Sequence, residues 1–223
     1  VRLYFFTLFE SFCYIIFVNI VITRSRIMKP QLIIVEGITG AGKSVIGKLI
    51  SKNRGFTFVD KDTVATALTE VILENLSPLK DKHERESSFY LEVVRPLAYE
   101  SMLHIALENI ELGNSVVVAA AFDEEIKNAD FLEENEYMEA IRKLANIKVV
   151  HVHVDHSTLL KRLIARNEQR DSWKLANWDA YVKEVGNAKI KWNSALYTLL
   201  SFDNSDALPI LYDLKVNNLL NEL

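Results

Sequence analysis

From Gln31 onward, short apolar runs alternate with longer stretches whose apolar residues recur every three or four positions. The run "QLIIVE" (31–36) predicts a strand buried on both faces. A glycine-rich turn follows. Next, "KSVIGKLISKN" places Val45, Ile46, Leu49 and Ile50 on one helical face, and residues 53–55 close that helix. "FTFV" (56–59) predicts the second strand. "DTVATALTEVILENL" predicts a helix stopped at Ser77-Pro78. The charged "KDKHERE" (80–86) is a loop or a helix start. A long helix is expected from about Ser88 to Leu112, with Pro96 as a kink and Gly113 as its stop. "SVVVAAAF" (115–122) predicts the third strand, "YMEAIRKLA" a helix and "IKVVHVHV" (147–154) the fourth strand. "STLLKRLIARNEQR" predicts a helix with Ser157 as its N-cap, and "LPILYDL" (208–214) is a candidate fifth strand. Strands that alternate with helices need crossover connections. The expected fold class is therefore α/β: a three-layer sandwich around a parallel sheet of about five strands.

Composition narrows this only a little. The 223 residues, 49% hydrophobic and 25% charged, suit one globular domain with or without an appendage. A formal net charge of −4 argues against a general nucleic-acid coat, and no nucleic-acid partner is expected. The single cysteine, Cys13, leaves no intrachain disulfide and suits a reducing, cytoplasmic setting. Residues 1–27 differ from the rest. "LYFFTLFESFCYIIFVNIVI" (3–22) carries one formal charge, Glu10, and just reaches the roughly 20 residues a membrane helix needs. Arg24, Arg26 and Lys29 follow it and would hold the main domain in the cytoplasm. Met28 stands directly before "KPQLIIVEG". That favours reading 1–27 as translation from an upstream start. A membrane anchor and an ordered N-terminal addition are the other two readings. The working domain is 28–223.

"GITGAGKS" (37–44) fits G-x-x-x-x-G-K-[ST] at every fixed position: Gly37, Gly42, Lys43 and Ser44. Glycines let backbone N–H groups wrap an anion in conformations that a side chain would block. The helix that follows presents its N-terminal dipole and unpaired amides to the same anion. Ile38, Thr39, Gly40, Ala41 and Val45 complete the expected nucleotide cradle. The motif also has the context it needs, an apolar strand before it and an amphipathic helix after it.

On "GITGAGKS", "FTFVDKDT", the third strand and "LLKRLIARNEQRDSWKLANWDAY", the segment from Lys29 to about Val185 resembles the P-loop kinase group. That group includes the gluconate and shikimate kinase type, the zeta-toxin and chloramphenicol phosphotransferase type, and proteins described as AAA family ATPases. The resemblance implies ATP- and Mg²⁺-dependent transfer of a γ-phosphate to a hydroxyl of a small-molecule acceptor. It assigns Lys43 to the phosphates and Ser44 with Asp60 to the metal. Asp62 is favoured as the base, although either aspartate could instead simply cap the helix that begins near Thr63. Lys61, between them, would point to the opposite side if the strand continued. Arg162, Arg166 and Arg170 recur every four residues and would stay on one side of a helix. In this group a lid, here around 157–180, closes arginines over ATP. Arg166 and Arg170 are the preferred pair, against the alternative of a solvated basic face. Asp62 and Arg95 are the expected acceptor contacts, with an exposed surface arginine as the other reading of Arg95.

One departure matters. P-loop NTPases often carry an acid at the end of the third strand, and here that stretch reads Ala119, Ala120, Ala121, with Asp123 the first acid available. Either Asp60 or Asp62 replaces it, or metal binding is weakened. A nucleotide-binding regulator or pseudo-kinase therefore stands as the alternative function. An oligomeric mechanical ATPase is disfavoured by the short chain and by the arginine-bearing lid. His151 and His153 share a strand face and are expected to be packed or hydrogen-bonded rather than zinc ligands. Residues 123–139 hold eight acids and one lysine. They read as a solvated arm, or as an attractor for a cationic acceptor. Trp173, Trp178 and Trp192 read as lid and core packing. The expected assembly is a monomer or a homodimer.

Overall fold

The computed structural model of the chain describes residues 29–186, 189–205 and 208–223. The readings of residues 1–27 lie outside the described residues. No helix among the described residues is long and apolar enough to cross a membrane.

Five strands form one parallel sheet: β1 (Gln31–Glu36), β2 (Thr57–Asp60), β3 (Val116–Ala119), β4 (Asn146–His153) and β5 (Thr198–Asp203), in the order β2-β3-β1-β4-β5. The α/β three-layer expectation holds. Alternation along β1 explains the layers. Leu32 and Ile34 point into one core with Tyr99, Met102 and Leu103, while Ile33 and Val35 point into the other with Ile46, Ile50 and Leu159. Every one of these side chains is buried.

The helices among the described residues are α1 (Lys43–Arg54), α2 (Lys61–Leu76), α3 (Arg95–Glu111), α4 (Phe131–Glu134), α5 (Glu136–Leu144), α6 (His156–Arg166), α7 (Ser172–Ala176), α8 (Trp178–Gly186) and α9 (Pro209–Glu222). On α1 the buried face is Ile46, Gly47, Ile50 and Ser51; Val45, expected inside, is exposed. The long helix is present, but a π-turn at Tyr90–Val94 precedes α3. Pro96 has no N–H to donate and its ring crowds the preceding turn, so the turn widens and the Arg95 amide bonds the Tyr90 carbonyl.

Three further expectations need correction. Residues 208–214 are not a strand. They begin α9, with Pro209 in its first turn, and the fifth strand is "TLLSFD" just upstream. A run of apolar residues fits either element, and Pro209 tips it to a helix start. The N-cap of α6 is Asp155, whose carboxylate accepts from the Thr158 amide at 2.9 Å, and not Ser157. That helix ends at Asn167 in the left-handed conformation (φ 49°), so Arg170 does not share a helix with Arg162 and Arg166.

Candidate active site

All the strands run the same way, so the loops after β1, β2 and β3 meet at one sheet edge, where open α/β folds bind ligands. A cleft of about 410 Å³ opens there. Thr39, Lys43, Asp60 and Asp62 line it from the strand ends, and Arg166 and Arg170 line it from above.

The loop after β1 is locked in shape by its surroundings. Gly37 sits at φ 142°, and a Cβ there would come within 2.2 Å of the Val152 carbonyl oxygen. Gly42 sits at φ 96°, and a Cβ there would come within 2.2 Å of the Asn204 amide nitrogen. No other residue fits either position without displacing backbone or a buried partner. Asn204, buried after β5, donates to the Ala41 carbonyl at 2.6 Å, and Arg162 donates to the Asn204 carbonyl at 2.8 Å. Among the described residues, Ala41 is the one amide from Thr39 to Ser44 with a backbone acceptor, the Ile38 carbonyl at 3.1 Å. The others are left for an anion at the N-terminus of α1.

Lys43 folds back over this loop and donates to the Ile38 carbonyl at 2.9 Å. Burial pushes its ammonium down to about 8, partly offset by the charges of Asp62, Asp123 and Glu36. An anion in the loop would restore the cation. Glu36, at the end of β1 and 1% exposed, is paired with His151 Nδ1 at 2.5 Å. That contact raises the His151 pKa, so His151 is hydrogen-bonded, as expected, and stacks on His153.

Asp60 does two jobs at once. Its Oδ1 accepts from the amides of Asp62 and Thr63 and caps α2, while its Oδ2 accepts from the Ser44 hydroxyl at 2.5 Å. The capping alternative and the Ser44 partnership are therefore both real. A hydroxyl and a carboxylate beside a phosphate loop are the hard oxygen donors that Mg²⁺ takes while keeping several waters. The residues present fit that ion.

Asp62 faces the cleft and meets Arg170 at 3.0 Å and Lys61 at 3.0 Å. Burial pushes its carboxyl up, but the two cations outweigh burial and hold it at about 2. Lys61 does not point to the opposite side. It opens α2, lines the cleft and lies 5.8 Å from the centre of the Tyr99 ring. Arg170 also pairs with Glu168 at 2.5 Å. Arg166 is held by Asp171, fully buried, whose Oδ2 accepts from Arg166 Nε at 2.9 Å and from Nη2. Asp171 Oδ1 has no partner among the described residues. The turn at Gln169–Asp171 thus brings Arg166 and Arg170 to one wall by a route other than a continuous helix.

Arg95 is buried and already engaged. Nη1 and Nη2 donate to the two oxygens of Glu125 at 2.7 Å each, and Nη2 donates to Asp123 at 2.6 Å. The expected acceptor arginine is therefore neutralised by the protein itself. Trp192 is buried in the core on the Leu32 and Ile34 side of the sheet, Trp178 packs against the opposite core beside Tyr181, and Trp173 is 44% exposed on the cleft wall.

Sequence reading missed Asn204, Glu36 with His151, and the engagement of Arg95. Each depends on contacts far apart in the chain. A faint signal existed for Glu36, an acid ending an otherwise apolar strand.

A family model described as an AAA domain matches residues 32–186, more than half of the chain. The cytidylate kinase of Fusobacterium nucleatum subsp. nucleatum is 28% identical over 141 residues, which cover 63% of this chain and 54% of the relative. The chain thus spans about half the length of that curated relative. Among solved structures, a provisionally assigned kinase of Chloroflexus aurantiacus j-10-fl aligns with a TM-score of 0.61 at 17% identity, covering 88% of this chain and all of that one. An unliganded sugar kinase of Janibacter sp. HTCC2649 aligns with a TM-score of 0.52 at 14% identity, covering 87% and 94% of the two chains. At such identities these structures speak to the fold, which they share.

Proposed function

The chain belongs to the AAA domain family, and from that premise we propose that it is an ATP- and Mg²⁺-dependent kinase acting on a hydroxyl of a small molecule. One observation carries the reading: the unengaged loop amides and Lys43 open into the same cleft as Asp60, Asp62, Arg166 and Arg170. Phosphoryl transfer asks a protein mainly for positioning and charge neutralisation, and this set supplies both.

In this reading the loop amides and Lys43 hold the phosphates. Ser44 and Asp60 would hold Mg²⁺, which would supply neutralisation of the phosphate charge. Arg166 and Arg170 stabilise charge on the transferring group from the lid. Asp62 accepts the proton of the attacking hydroxyl. Its pairing with Arg170 ties the base to the lid, so a phosphate that draws Arg170 away also releases Asp62. The names of the relatives suggest two acceptor classes, a nucleoside monophosphate or a sugar.

The test is ADP release by the full chain against a panel of hydroxyl compounds. Release should depend on both Mg²⁺ and an added acceptor. Asp62→Ala should abolish transfer and leave ATP binding near that of the unaltered protein; strong residual transfer removes the assignment of Asp62 as base. The acid-free end of β3, Val116–Ala119 followed by Ala120 and Ala121, favours a second reading, a regulator that binds nucleotide without transfer. Tight ATP binding with no release across the panel would favour that reading.

A further inference from the structure

The acceptor half of the cleft carries a charge pattern that separates the two acceptor classes. Register places Ala119 level with Asp60 of β2 on one side and Val35 of β1 on the other. The chain leaving β3 therefore emerges between the phosphate loop and the two aspartates. No side chain larger than alanine stands at 119–121, and the next polar group is Asp123. Phe122 before it is buried in the left-handed region at φ 54°, where a non-glycine residue is uncommon, and its amide donates to the Tyr99 hydroxyl at 2.9 Å. That turn carries Asp123 into the cleft with its side chain 62% exposed. Arg95 grips it from beneath, anchored by Glu125 and lying 4.4 Å over the Tyr99 ring. Desolvation in the cleft pushes the Asp123 carboxyl up, but Arg95 outweighs it and keeps the group ionised.

A carboxylate held this way accepts hydrogen bonds and repels anions. The cations nearby offer an anion little. Arg95 faces Asp123 and Glu125, Lys61 and Arg170 face Asp62, Lys174 faces Glu86 at 3.2 Å and Lys127 faces Glu124 at 2.6 Å. Arg85 has no carboxylate partner among the described residues, but it is turned back onto the carbonyls of Lys82 and Glu84 in its own loop. A phosphate-bearing acceptor would have to break existing ion pairs, or draw Arg85 off the carbonyls of its own loop, to be held. A hydroxyl or ammonium group would find Asp123 ready.

We propose that the acceptor is a neutral or amine-bearing hydroxyl compound, and that Asp123 selects it by accepting a hydrogen bond from one of its O–H or N–H groups. This rests on the kinase reading above and deepens it; transfer of a nucleoside monophosphate's kind is what it argues against.

The test uses the full chain and compounds matched except for charge: cytidine with cytidine monophosphate, and glucose and glucosamine with gluconate. ADP release should rise with neutral or amine-bearing members and stay at background with their anionic counterparts. Asp123→Asn keeps the shape and removes the charge. It should raise KM for the stimulating compound about tenfold or more, with a smaller change in kcat. ATP affinity should be kept or rise, since a negative charge near Lys43 is gone. Release stimulated by cytidine monophosphate or gluconate alone overturns the inference and leaves the kinase reading standing. So does an Asp123→Asn variant with unaltered acceptor KM. ATP binding without release by any member removes the kinase reading, and this inference falls with it.

Discussion

Lys43→Met should make the protein more stable and unable to hold ATP. Methionine keeps the apolar stem and drops the ammonium, which burial pushes from 10.5 down to about 8. At 1.36 kcal/mol per pKa unit, carrying that cation into the fold costs about 3 kcal/mol. The sign follows from proton linkage. Below pH 8 the lysine is charged in both the folded and the unfolded chain, so the folded state bears the whole cost. Between pH 8 and 10.5 the folded form sheds its proton, and the cost fades. One hydrogen bond, to the Ile38 carbonyl, is also lost in the variant and offsets about 1 kcal/mol. The net gain at pH 7 is about 2 kcal/mol, and a chain of this size then melts roughly 4–8 °C higher. Melting curves at pH 7 and pH 10.5, with and without Mg²⁺-ATP, read all of this. The variant should melt higher than the unaltered protein at pH 7, lose that advantage at pH 10.5 and gain nothing from nucleotide. The unaltered protein should hold ATP steadily below pH 8 and progressively less well above it. A variant that melts lower at pH 7, or whose offset is the same at both pH values, would refute the idea that the phosphate lysine is held at a cost.

His151 has its pKa raised by Glu36, so the pair's contribution is fully present below about pH 6.5 and is lost as pH rises through the higher folded value. Urea unfolding of His151→Asn should therefore show a larger deficit at pH 6 than at pH 9, and an equal deficit at both would assign the histidine to packing alone. The Arg166–Asp171 pair is buried on the acid side with one oxygen unpartnered, a poor arrangement for stability and a reasonable one for aiming a guanidinium. Asp171→Asn should leave the melting temperature unchanged or higher while weakening ATP binding several-fold; joint loss of both would mark the pair as structural.

The chain sequence was enough for the phosphate-loop motif and its flanking elements, though not for every local detail: the cap of α6 is Asp155 rather than Ser157. The apolar run of β1, the glycines, Lys43 and Ser44 are contiguous, and the backbone chemistry of an anion loop needs only neighbours in sequence. Asp60 and Asp62 were legible for the same reason, since a strand end followed by Asp-x-Asp puts both beside the loop whatever else the chain does. The apolar period also gave the layers, because residues 32 and 34 must face one side of β1 and 33 and 35 the other. It failed at 208–214, where the same apolar content suits a strand or a helix; Pro209 starts the helix, and Val216 and Leu219 further along it are buried in the core. Tertiary structure alone decided which charges are free. Arg95, an isolated cation in the sequence, is neutralised by Asp123 and Glu125 some thirty positions on, and Arg170 reaches Asp62 across more than a hundred. Coulomb energy depends on separation in space and on the dielectric around each pair. Neither quantity is written in the order of the residues.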